Sequence, residues 1–252
     1  MTTPSTRAHG RRIESYAALG DALDEGREAS VTHGASTDWA DRLAVLLAEE
    51  RPEGLLHYLK PARGRFLDQT GAEQLAVVRE SAPDLVSLCA GNADLLLPGS
   101  DPDTLAERTE EAVGELCAHA GTVLLFTGFD ARAIPGLRHL RGKAAMYTAH
   151  VRAIADRHGC PVVDLWSLRA LHDRRAWDGG GLCLSQAGHR QVAAQAARVL
   201  GLRYTASEGR LVRGPGASPS RLRRQGTGWL REYYAPWLAR PVENGAEGGH
   251  EA

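Results

Sequence analysis

The sequence predicts an α/β protein, a three-layer α/β/α sandwich on a five-stranded parallel sheet. Two observations carry that prediction. Five short apolar runs alternate with amphipathic stretches across residues 13–200, the pattern of parallel strands joined by crossover helices. One run, Leu85-Val86-Ser87-Leu88-Cys89, is nearly continuous in its apolar character, as a strand covered on both faces requires.

The elements follow in order. The first strand starts at about Ser15 and runs into a Gly20-Asp21 corner, followed by an acidic turn that ends at Gly26. A small, polar loop over 32–37 leads to an amphipathic helix beginning at Asp38-Trp39, with Ser36 or Thr37 as its cap. A short strand over 55–59 ends at Lys60-Pro61, and a helix runs over 66–81 before Pro83. The third strand spans 84–90. Asp101-Pro102 then opens a helix to about Ala120, in the favoured cap-then-proline order. A strand over 122–127, a loop over 128–136, a helix over 143–158 stopped by Gly159, a strand over 161–165 and a last helix over 185–200 complete the domain. The strand-end turns at 20–26, 62–65, 91–94 and 178–185 are expected to meet on one side of the sheet, where open α/β folds place their sites.

Outside this domain, 1–12 is read as a flexible N-terminus, with the α/β domain over 13–205. Residues 206–228 read as a flexible linker rich in Gly, Pro, Ser and Arg, and 241–252 as a disordered tail. Between them, 229–240 is an aromatic helical segment docked on the domain or on a partner. Its Trp229, Tyr233, Tyr234 and Trp237 are the kind of side chains that anchor protein interfaces.

Composition narrows the function classes. A chain of 252 residues with 43% hydrophobic and 24% charged residues is long enough for one large domain and ordinary for a globular protein. A formal net charge of −1 gives no reason to expect nucleic acid or an anionic membrane. No run approaches the roughly 18 apolar residues of a membrane span, and with its polar start the chain is expected to carry no signal peptide. The expected location is cytoplasmic. Cys89, Cys117, Cys160 and Cys183 lack metal-like spacing, so neither a metal nor a cofactor is expected. The first three lie in apolar contexts and are read as buried free thiols.

Four blocks in order resemble the SGNH (GDSL-type) hydrolase family over roughly 13–200. The first reads Gly20-Asp21-Ala22-Leu23-Asp24-Glu25-Gly26, against a family pattern of Gly-Asp-Ser-x-Thr-Glu-Gly in which Ser is the nucleophile. The second is Gly64 within Ala62-Arg63-Gly64-Arg65. The third is Ala90-Gly91-Asn92-Ala93-Asp94, and the fourth is Gly180-Gly181-Leu182-Cys183-Leu184-Ser185 before Gly188-His189. The resemblance implies a flavodoxin-like fold and an acyl-transfer ancestry: Ser attacks, His takes its proton, Asp orients His, and a Gly N–H with an Asn side chain stabilises the oxyanion. By the same alignment Ala22 replaces the Ser, Ala93 the Asn, Gly180 the Asp and Cys183 the His. Only Gly64 matches among the four residues that name the family. His189 aligns with a second, non-catalytic His. A one-residue shift would be needed for Asn92 to replace the lost Asn.

The expected pocket is lined by Asp21, Asp24, Glu25, Gly64, Arg65, Asn92, Asp94 and Cys183. Asp21 and Asp94 read as carboxylates that hold loop N–H groups, with a base or ammonium-binding role as the alternative for Asp21. Arg65 is a surface charge or an anion clamp. Cys183 is a filler or a thiol nucleophile, and Asp178 is a stand-in acid. Three functions follow as expectations. The first is a pseudo-hydrolase that binds a small molecule or supports a partner enzyme. The second is a repurposed enzyme of specialised metabolism catalysing elimination, cyclisation or transfer. The third is a weak acyl hydrolase using Cys183.

Overall fold

The structure is a computed structural model and describes residues 13–21, 38–50, 57–61, 69–177 and 183–202. The strands are β1 (Ser15–Gly20), β2 (His57–Leu59), β3 (Leu85–Cys89), β4 (Thr122–Phe126) and β5 (Val162–Val163). The helices are α1 (Trp39–Glu49), α2 (Gln69–Ser81), α3 (Pro102–His119), α4 (Arg141–His158) and α5 (Gln186–Val199). The strands form one sheet in the order β2-β1-β3-β4-β5, and every pair is parallel. Among the described residues no helix is long and apolar enough to cross a membrane.

Strand periodicity divides the core into two layers. Successive side chains point to opposite faces. Tyr16 and Ala18 of β1, Leu85 and Cys89 of β3, and Leu124 and Phe126 of β4 therefore join Trp39, Leu43 and Leu47 of α1 and Val192, Ala193 and Ala196 of α5. The alternate residues, Ala17 and Leu19, Val86 and Leu88, Val123 and Leu125, pack with Leu105, Val113 and Leu116 of α3 and Tyr147, Val151 and Ile154 of α4. Both faces are covered, which accounts for the nearly unbroken apolar run of β3: all five of its residues are buried. Its one polar member, Ser87, meets the hydroxyl of Tyr16 at 2.8 Å inside the first layer.

Several boundaries differ from expectation for local reasons. The cap of α1 is Asp38, not Ser36 or Thr37. The Asp38 carboxylate accepts from the N–H groups of Ala40 and Asp41, and Asp41 returns to the Asp38 N–H, completing a capping box. The strand expected over 161–165 shrinks to Val162–Val163 because the Thr127 hydroxyl oxygen takes the N–H groups of Leu165 and Trp166, at 2.9 and 3.2 Å. Asp164 accepts from the Ser167 N–H and turns the chain away from the sheet. The loop expected over 128–136 contains two 3₁₀ turns, Ala131–Ala133 and Pro135–Leu140, and α4 begins directly after them. The reading of three buried cysteines holds for Cys89 alone. Cys117 is exposed and Cys160 half-buried, since one sits in the last turn of α3 and the other follows the left-handed Gly159 that ends α4. The linker over 206–228, the aromatic segment with Trp229, Tyr233, Tyr234 and Trp237, and both termini lie outside the described residues.

Strand order also fixes where a site can form. From β1 the chain crosses outward to β2, then returns to the other side of β1 as β3. The connections after β1 and β3 therefore leave in opposite directions, opening a crevice at the carboxyl ends of those two strands.

Candidate functional site

At that crevice the last residues of β1 and β3 stand side by side, Gly20 opposite Cys89. Gly20 adopts φ +138°, and a Cβ there would stand 2.0 Å from the Cys89 carbonyl oxygen. Only glycine allows the two strand ends to approach this closely. Gln74 of α2, wholly buried, secures the corner by accepting from the Gly20 N–H at 2.9 Å and donating to the Gly20 carbonyl at 3.2 Å.

Asp21 follows, 1% exposed. Its N–H continues the ladder to the Cys89 carbonyl at 2.9 Å, and its carboxylate accepts from the Ala93 N–H at 3.0 Å. The first turn thus holds the third-block loop directly. That loop, Gly91 to Asp94, winds into a 3₁₀ turn through Asp94–Leu96. Gly91 has φ +85°, and a Cβ would stand 2.3 Å from the Tyr147 hydroxyl. The hydroxyl itself donates to the Ala90 carbonyl at 3.1 Å and meets Thr109 Oγ1 at 2.9 Å. Burial raises the Tyr147 phenol above its ordinary range, opposed by the Thr109 hydrogen bond and reinforced by the nearby carboxylates Asp21 and Asp94. The phenol is a fixed donor under the loop.

Asn92, Ala93 and Asp94 are all buried at this corner. The Asn92 amide oxygen lies toward Gly128 at the end of β4, 3.6 Å from where a Cβ would stand on that glycine. The structure thus brings Asp21, Asn92, Ala93 and Asp94 together. Ala22, Asp24, Glu25, Gly64, Arg65, Asp178 and Gly180 lie outside the described residues.

Cys183 sits on the segment leading into α5 and is half-buried. The next residue, Leu184, forms a lone antiparallel bridge with Trp177, and Ser185 caps α5 by accepting from the Gly188 N–H while donating to the Arg175 carbonyl. The Gly188-His189 pair has a packing explanation. A Cβ on Gly188 would stand 2.2 Å from the Ala176 carbonyl oxygen. His189, 1% exposed, accepts the Trp39 N–H through Nδ1 at 3.2 Å, fastening α5 to the first turn of α1. Accepting at Nδ1 places the proton of the neutral ring on Nε2.

Two polar groups near the carboxyl edge carried no motif. Lys60, just past β2, spans Asp38 and Asp41 at 2.9 and 3.0 Å, while the Tyr58 hydroxyl donates to Asp41. On the loop after β4, the wholly buried carboxylate of Asp130 binds Arg132 at 2.5 Å and Arg141 at 2.7 Å. Burial pushes the Asp130 carboxyl up, but hydrogen bonds from Arg141 and Arg132 outweigh it and hold the group below its ordinary value. Arg141 also lies over the Trp166 ring, 5.5 Å from its centroid. Pairs of opposite charge at loop ends were the only available signal, and sequence order did not show which pairs would meet. Among the described residues no cluster of His, Cys, Asp and Glu is placed to hold a metal ion.

Comparisons with known proteins agree with this fold. A family model described as GDSL-like lipase/acylhydrolase matches residues 18–191. An acetylxylan esterase from Geobacillus stearothermophilus, Axe2, is 22% identical, with 78% of this chain and 100% of that chain covered at a TM-score of 0.61. LAE5, an alpha/beta hydrolase enzyme from the metagenome of Lake Arreo, is 19% identical, covering 75% of this chain and 95% of that one at 0.61. A structure described as a GDSL-like lipase from Parabacteroides merdae is 15% identical, covering 78% and 99%, also at 0.61. At such identities the likeness is one of fold. No curated protein matches the chain.

Proposed function

The chain belongs to the GDSL-like lipase/acylhydrolase family, and from that premise we propose that it is a pseudo-hydrolase, an SGNH-fold protein whose crevice binds a small molecule instead of cleaving esters. The observation that carries this reading is the state of residue 93. It aligns with the Asn that stabilises the oxyanion in the family, yet it presents a methyl group, and its N–H is already taken by the Asp21 carboxylate. An acyl-transfer transition state at this position gains no side-chain donor, and such donors supply much of the rate enhancement of these enzymes.

The other aligned positions support the same reading. Ala22 has no nucleophilic atom, Gly180 has no carboxylate, and Cys183 stands where the base belongs. His189 does not replace that base on this reading, because it is buried and its Nδ1 is engaged by Trp39. Asn92 is a side-chain amide at the crevice, oriented toward Gly128, and serves recognition. Asp21 is a structural carboxylate whose burial and bond to Ala93 hold two loops in register.

Native mass spectrometry of the protein purified from its own host tests this directly. The expected result is one small molecule retained per chain, and its loss from an Asn92→Leu variant that still folds. A chain that retains no small molecule and turns over esters overturns the reading.

A further inference from the structure

At the opposite end of the sheet, away from the crevice, two thiols meet. Cys117 in the last turn of α3 and Cys160 just before β5 have their sulfurs 3.7 Å apart, although 43 residues separate them in sequence. Both are free, Cys117 exposed and Cys160 half-buried. Each is held by well-formed structure: the Ala120 N–H closes α3 onto the Leu116 carbonyl, and the Cys160 N–H donates to the Ala155 carbonyl at the end of α4. A sulfur–sulfur bond of about 2 Å requires each sulfur to move by roughly 1 Å.

The surroundings distinguish the two thiols. The two sulfurs are in hydrogen-bond contact, with either thiol able to donate, and the Cys160 thiol also has the His158 carbonyl within reach as an acceptor. Hydrogen bonding from Cys160, with the His158 ring adding to it, lowers the Cys117 thiol to about 7 against the effect of its partial burial. The same bond and burial push Cys160 up. The side chain beside the pair is the His158 ring, which lies 3.6 Å from Glu110, and Glu110 in turn binds Arg157 at 2.6 Å.

We infer that Cys117 and Cys160 are a dithiol site that exchanges with low-molecular-weight disulfides of the glutathione type, Cys117 attacking and Cys160 resolving. The Cys117 thiolate attacks one sulfur of RSSR, a new Cys117–SR bond forms, and RS⁻ leaves and takes up a proton. Cys160 then loses its proton and attacks the Cys117 sulfur, releasing the second RS⁻. The balance is two protein thiols and RSSR giving one internal disulfide and two RSH. The bond fastens the end of α3 to the turn between α4 and β5. It lies at the amino ends of the strands, so it is independent of whatever the crevice binds.

The test uses the reduced full-length chain in mixtures of oxidised and reduced glutathione, with acid quenching, alkylation of remaining thiols and peptide mapping. The expected product is a monomer that has lost two hydrogens, carries a linked Cys117–Cys160 peptide, and returns to two thiols on reduction. A Cys160→Ser variant should stop at the glutathione adduct on Cys117. In a short exposure to iodoacetamide near neutral pH, Cys117 of the wild-type chain should react at least about tenfold faster than Cys160. A persistent glutathione adduct on wild-type Cys117, a bond between chains, or no reaction at Cys117 overturns the site. Faster alkylation of Cys160 overturns the assigned order.

Discussion

Residue 93 shows how much can turn on one side chain. The backbone at Ala93 is held by Asp21, so the loop is already in place and only the donor is missing. Rebuilding therefore has a defined order. A chain carrying Ala22→Ser, Gly180→Asp and Cys183→His should acquire weak ester turnover. Adding Ala93→Asn to it should raise kcat by about 10²–10³-fold, the usual worth of one oxyanion donor. Equal kcat with and without Asn at 93 would show that this position does not face the reacting centre. Gln74 is the opposite kind of residue, one that no motif announced, since a Gln in an amphipathic helix is unremarked until a contact 54 residues away is known. Gln74→Leu leaves the Gly20 N–H and carbonyl without their partner and should cost about 2–4 kcal/mol in urea unfolding. Asp21 and Asn92 were legible because they sit in ordered blocks. The direction of the Asn92 amide was not, because it depends on β4 lying beside β3.

At the scale of elements, loops after the strands are locked by side chains from helices. Tyr147 of α4 holds the loop after β3 through the Ala90 carbonyl. Tyr147→Phe should therefore cost about 1–2 kcal/mol by losing that bond and its contact with Thr109, measured by thermal or urea unfolding. Asp130 locks the loop after β4 against α4. Its folded carboxyl lies below the ordinary value of 3.8, so its contribution is full above that value and is lost as pH falls through the lower folded one. Asp130→Asn should cost about 1–3 kcal/mol near neutral pH, discounted because both arginines are half-exposed. The gap between wild type and variant should be level above about pH 5 and close in stronger acid. A gap that widens in acid would contradict the assignment. The cap of α1 belongs here too. Ser36, Thr37 and Asp38 are all acceptable caps by residue type, and only the reciprocal bonds of Asp38 and Asp41 select among them.

For the whole molecule, strand-helix alternation and the doubly apolar third strand were sufficient to specify a parallel sheet, since few other architectures bury such runs. The order β2-β1-β3-β4-β5 is the one the flavodoxin-like fold implied by the family resemblance would have, and the shortness of β5 came with neither. It follows from Thr127, whose hydroxyl takes the Leu165 N–H that a longer strand would have paired with β4, together with the neighbouring Trp166 N–H. The meeting of Cys117 and Cys160 was equally hidden, because it depends on α3 and α4 packing side by side. The central claim concerns the other end of the sheet, where a hydrolase scaffold is proposed to bind without cleaving. The most direct measurement is hydrolysis of p-nitrophenyl acetate by the purified full-length chain and by its Cys183→Ala variant. The account predicts that neither shows sustained turnover above buffer containing an unrelated protein once any one-equivalent acylation of the exposed Cys117 thiol is complete. Turnover that scales with the wild-type chain and disappears on Cys183→Ala would contradict it and identify the thiol as the working nucleophile.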